Sequence, residues 1–163
     1  MAHLSKLLVF LLPILFIVGC ERSVSHQANE KLILAREVRK AVALQLKKEK
    51  ELYPCGTGGQ MMHEIKMLAL SFNYYKPTDI QQGRELLITA IAEFMAAVNA
   101  DTRIRPYLSN YPFEPQNIQI EIFLRNLDGS NFAPGKLCVL SAIGGVLEYD
   151  VENSEGNRLE AVF

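Results

Sequence analysis

The chain has 163 residues, 17 Lys and Arg against 18 Asp and Glu, and a formal net charge of -1. That length suits one domain with a short extension, and the near-neutral balance leaves no basic excess for a nucleic-acid partner. There is no Trp, so a carbohydrate-stacking platform has no strong cue.

Residues 1–19 have the three-part layout of a secretory leader. Met1 to Lys6 carries one Lys, Leu7 to Val18 is an apolar run containing Pro13, and Gly19-Cys20 closes it. The run is shorter than the roughly 20 residues that a bilayer-crossing helix needs, and Pro13 disfavours a lasting membrane helix. Residues 20–29 are short and polar and read as a tether. Residues 30–53 form an amphipathic helix, with Ala35, Val38, Val42 and Leu46 spaced by three or four and Lys and Glu between them. Arg39 and Gln45 interrupt the stripe, which argues against a coiled coil.

Residues 54–60, Pro-Cys-Gly-Thr-Gly-Gly-Gln, read as a glycine-rich break and the boundary of an α+β domain over 61–163. The glycines lack the Lys-Ser/Thr of a P-loop and the third Gly of the dinucleotide fingerprint. In 64–75, Leu68, Leu70, Phe72 and Tyr74 alternate as in a strand. Thr78 and Gln81 form a candidate capping box after Pro77, opening a helix to about Asn99 with Ile80, Leu87, Ile91, Phe94 and Val98 in one stripe. Gly83 lies inside this helix, at a cost of about 1 kcal/mol relative to Ala, and suggests close packing there.

Three prolines between Arg103 and Pro115 forbid a helix interior or a central strand. Ile118 to Leu124 alternates cleanly, Leu137 to Ile143 is a second strand, and Gly144-Gly145 signals a hairpin into Val146 to Val151. The expected fold is α+β: an N-terminal helix, then a small, mostly antiparallel sheet in β-α-β-β-β order with one helix packed across it.

The leader ending Ile17-Val18-Gly19-Cys20 resembles the lipobox of bacterial lipoprotein precursors. The resemblance covers about 20 residues. It implies cleavage before Cys20, acylation of that cysteine, and attachment to a bacterial membrane through lipid. Glu21 replaces the Asp that retains such proteins at the inner membrane, so the outer membrane facing the periplasm is the expected site. The segment Ile104 to Phe113, with Asn117 to Leu124, resembles segments of small bacterial proteins, a likeness that brings no activity with it.

With Cys20 given to lipid, Cys55 and Cys138 remain in a compartment that permits disulfides. A bridge would close a loop of about 80 residues and contribute roughly 4 kcal/mol. The alternative is two reduced, buried thiols. Neither has a partner at metal spacing, so no metal is expected. His63-Glu64 starts like a metalloprotease motif, but Met67 stands where the second His belongs. A Cys55–His63 dyad would lack an orienting group. Glu114, Glu121, Glu148 and Asp150 could support hydrolysis, though a wet sheet face explains them as well. No catalytic residue and no cofactor is expected.

Arg103, Arg105, Tyr107, Tyr111 and Phe113 are the candidate interface, because Arg and Tyr often carry interface energy and prolines lower the ordering cost. The competing view is a crossover whose rings cap the core. The expected function is a membrane-anchored envelope lipoprotein with a non-catalytic binding or scaffold domain of unknown partner, with another envelope protein as the candidate. The alternatives are a binder of a small envelope ligand, such as a lipid or cell-wall fragment, and a carboxylate hydrolase.

Overall fold

The computed structural model describes residues 18–152 and 159–161, with side chains over 29–152. The expected leader therefore lies almost wholly outside the described residues. Helix α1 spans Val18–Lys50. It starts earlier than the sequence suggests and takes in the whole stretch, 20–29, read as a tether. Nothing between Cys20 and Tyr53 is Gly or Pro, so no residue there breaks a helix. Its stripe of Ala35, Val38, Val42 and Leu46 is buried. Glu51, at φ 57, turns the chain after the last helical residue, as a left-handed residue commonly does at a helix end.

The segment read as a break is strand β1, Tyr53–Gln60, paired antiparallel with β2, Met67–Tyr74. Glycine carries no side-chain period, so the strand left no alternation to read. Gly56 and Gly58 lie where a Cβ would meet the side chains of Ser71 and Ala69 at 3.2 Å and 3.4 Å. The glycines thus join this segment to the domain rather than dividing it.

Helix α2, Ile80–Ala100, is capped by Asp79, whose Oδ1 accepts from Gln82 N at 2.8 Å. The cap is one residue later than the Thr78 expected. An Asp ranks above Thr at this place, and its charge favours the positive end of the helix.

Strands β3 (Ile118–Leu124), β4 (Leu137–Ile143), β5 (Val146–Glu152) and β6 (Leu159–Ala161) complete one six-stranded sheet in sequential order. Gly144 and Gly145 both have positive φ, 60° and 84°, as a tight two-residue hairpin requires. The sheet is mixed: β2 and β3 run parallel, Leu68 beside Ile118, while the other pairs are antiparallel. Parallel neighbours need a crossover, and α2 supplies it.

Both helices lie on one side of the sheet. Leu68, Leu70 and Phe72 of β2, Ile118, Ile120, Ile122 and Leu124 of β3, and Leu140 of β4 meet Val38, Val42 and Leu46 of α1 and Leu87, Phe94 and Val98 of α2 in a single core. The α+β class holds; the order gains β1 at the front, and the N-terminal helix is part of the core.

Candidate functional site

The segment from Arg103 to Pro115 is a strap, with most of its side chains occupied inside the molecule. Arg103 is held by Asp101 at 2.8 Å and by Glu37 of α1 at 3.1 Å. The hydrogen bond from Arg103 holds the Asp101 carboxyl below its ordinary range. The Tyr107 hydroxyl donates to Glu30 at 2.9 Å, which raises its pKa. Arg105 donates to Asn99 O at 3.3 Å and lies over the Tyr111 ring, 4.3 Å from its centroid.

Phe113 is 1% exposed, in the core with Ile104 and Leu108. It is therefore an anchor and not an interface residue, which corrects the expectation above. Asn99 fixes it from both sides, donating to Phe113 O at 3.0 Å and accepting from Phe113 N at 2.7 Å. Of the five candidates, Arg103 and Tyr111 remain exposed, the first held by its ion pairs and the second lying over Arg105.

Sequence reasoning missed Asn117, which is buried. Its side chain exchanges two 3.0 Å hydrogen bonds with Asn110, donates to Lys66 O at 2.9 Å and accepts from Glu114 N at 3.0 Å. Its one signal was an Asn directly before the strand alternation begins.

The far side of the sheet carries the carboxylates. Glu121 accepts from Ser71 Oγ at 3.0 Å and stands beside Ser141, which in turn faces Glu148 on β5. Glu121 and Glu148 are therefore two strand spacings apart, about 10 Å. Burial, with Glu148 adding, raises the Asp150 pKa. An acid–base pair needs its two groups to converge on one concavity, whereas these three carboxylates are spread over a strand face that also bears Phe123 and Val139. Glu114 sits apart, at a short 3-10 turn, accepting from Gln116 at 2.6 Å.

The cysteines are both free, Cys55 exposed and Cys138 buried. Of the two alternatives the sequence leaves open, the structure has the separate thiols. Cys55 is on β1 and Cys138 on β4, three strand spacings or about 14 Å apart, and a disulfide needs Cα atoms within about 7 Å. Each sits at a register shift in its strand. Burial raises both thiol pKa values; at Cys55, Arg125 opposes this and Glu121 adds to it. Roughly 16 Å of strand separates Cys55 from the turn that carries His63, so the dyad is not assembled. Among the described residues no three His, Cys, Asp or Glu side chains gather as metal ligands.

Two of the grooves that flank the helices bear on a ligand. One, about 270 Å³, is apolar and lies between α2 (Ile88, Ile91, Met95) and the β4–β5 hairpin (Ala142, Leu147). The other, about 580 Å³, lies between α1 and β1, with Arg36, Arg39 and Lys40 along one wall and Ala43, Leu44, Pro54 and Thr57 around them. Arg39 is fixed there, donating to Ala35 O at 3.1 Å and Gly58 O at 2.5 Å. Burial, and then the neighbouring Arg36, lower its pKa. Among the described residues, no carboxylate forms an ion pair with any of these three cations. No described helix is long and apolar enough to cross a membrane.

The chain matches no protein-family model, no curated protein and no solved structure.

Proposed function

We propose that this protein is a membrane-anchored envelope lipoprotein whose folded part is a non-catalytic binding or scaffold module. The observation that supports this reading best is the continuity of α1. The helix runs from Val18 past Cys20 and enters the core at Leu34. Eleven residues from Cys20 to Lys31 correspond to about 16 Å of helix. Acyl chains on Cys20 would then hold the domain close to the bilayer, and two or more chains hold firmly. Glu21 after the cysteine favours the outer membrane, facing the periplasm.

The dispersed carboxylates favour binding over hydrolysis. The sheet face opposite the helices, with Phe123, Val139 and Val146 among polar neighbours, offers an envelope protein a mixed surface. For the small-ligand reading, the apolar groove beside α2, about 270 Å³, falls below the usual size of a ligand pocket, and the larger groove between α1 and β1 is walled by cations.

Membrane fractionation of cells carrying the Cys20→Ala variant tests the anchor. Loss of the protein from the membrane fraction is expected; unchanged retention would overturn the reading. Capture of an envelope protein by the soluble 21–163 fragment would identify the partner.

A further inference from the structure

We propose that the outward face of α1, together with the groove it forms with β1, docks on an anionic phospholipid surface, so that the helix lies along the bilayer. At 3.6 residues per turn, Ile33, Arg36, Lys40, Leu44 and Lys47 fall within about 80° of one another. All five are exposed, Ile33 by 44% and Leu44 by 57%. The opposite side of the helix, with Val38, Val42 and Leu46, is buried in the core. The two apolar side chains of the outward arc are therefore surplus to folding.

Charge is sorted around the same helix. Glu37 pairs with Arg103 and Glu30 accepts from Tyr107, so both carboxylates are drawn toward the strap. The outward arc keeps three cations and no carboxylate. Arg39, fixed beside it by Gly58 O, completes a cationic wall against the apolar Ala43, Leu44 and Pro54. Cations interleaved with exposed aliphatic side chains are the chemistry of a helix lying in the headgroup region: the cations meet phosphates while the aliphatic groups enter the acyl boundary.

Orientation follows. Arg36 is 16 residues beyond Cys20, about 24 Å along the helix. An upright helix would lift the groove beyond the headgroups, whereas a helix lying flat brings the whole arc to them. The inference deepens the anchored reading, but its test does not use Cys20.

The core residues all fall between Leu34 and Tyr149, so the 21–163 fragment contains them. This fragment is mixed with vesicles of phosphatidylcholine alone or with added phosphatidylglycerol, and cosedimentation is measured. Binding to the anionic vesicles alone is expected, weakening as salt rises. Each cation near an anionic surface contributes enough that the double variant Arg36→Gln/Lys40→Gln is expected to bind about thirtyfold more weakly. Leu44→Gln is expected to bind about fivefold more weakly, and Lys136→Gln, which removes a cation remote from α1, to bind as the parent does. Both exposed cations can be replaced without touching the core, and an unchanged circular dichroism melt verifies the fold. Equal binding to both vesicle types, or anionic-vesicle binding indifferent to both the double variant and Leu44→Gln, would overturn the proposal. Failure of the Cys20→Ala experiment would remove the anchor and leave this measurement standing.

Discussion

Gly83 of α2 lies so close to Leu140 of β4 that a Cβ at position 83 would stand 3.0 Å from Leu140 Cδ2 and 3.2 Å from Cδ1. Leu140 is fully buried, so it has little room to yield. The glycine sets the distance between the crossover helix and the sheet. Gly83→Val is expected to destabilise the fold by about 2 kcal/mol through overpacking. Urea denaturation measures this, and a stability equal to the parent's would show that α2 can lift without loss.

Tyr149 is buried, and its hydroxyl has no hydrogen-bond partner among the described residues. Tyr149→Phe keeps the ring and removes the unsatisfied group. The variant is expected to gain about 1 kcal/mol, read as a higher urea midpoint with an unchanged slope.

Lys31 ties α1 to the β1–β2 turn, donating to Met62 O and His63 O at 3.0 Å each. Its side chain is almost wholly covered. Lys31→Met retains the stem but leaves both carbonyls without their donor, and a loss of about 2 kcal/mol is expected. Faster hydrogen exchange confined to residues 61–66 and the start of α1 would locate the effect.

Asp150 supplies a pH dependence. Burial, then Glu148, raises its folded pKa above the unfolded value. The folded state therefore binds this proton more tightly than the unfolded state. Ionised Asp150 costs stability above its folded pKa, and that cost disappears as pH falls toward the unfolded value. Asp150→Asn is expected to raise the Tm at neutral pH and to give no gain below the ordinary carboxylate range. A gain of equal size at both pH values would exclude ionisation as its source.

The two thiols should separate cleanly. In the folded 21–163 fragment, an aromatic disulfide reagent is expected to modify exposed Cys55 and to reach buried Cys138 only after unfolding. Mass mapping without reductant is expected to show both as thiols. A Cys55–Cys138 crosslinked peptide would contradict the strand order.

Strand β3 was legible to the residue because alternation survives wherever one face is buried and the other is not; β4 was legible as a short apolar run ahead of the Gly144-Gly145 turn, which fixed where β5 starts. The α1 stripe was legible for the same reason as β3, at a helical period. Strand β1 was not, because its pairing lies in backbone hydrogen bonds that three glycines do not advertise. The parallel pairing of β2 and β3 was also hidden: alternation reports which face is buried and says nothing of direction. In the candidate interface, the types Arg and Tyr were read correctly as contact-making, but their partners Glu30, Glu37 and Asn99 belong to distant parts of the same chain. Composition alone cannot distinguish such internal contacts from those to another protein.

The parallel pairing also governs the order of assembly. Ser71 and Glu121, neighbours across β2 and β3, are 50 positions apart, whereas only the loop 125–136 separates β3 from β4 and only Gly144-Gly145 separates β4 from β5. The C-terminal meander can zip locally, but the N-terminal hairpin must wait for α2 to bring it alongside, closing a long loop at an entropic cost. Until then, Leu68, Leu70 and Phe72 have no neighbour on that side, and the nascent chain carries a sticky, half-built surface.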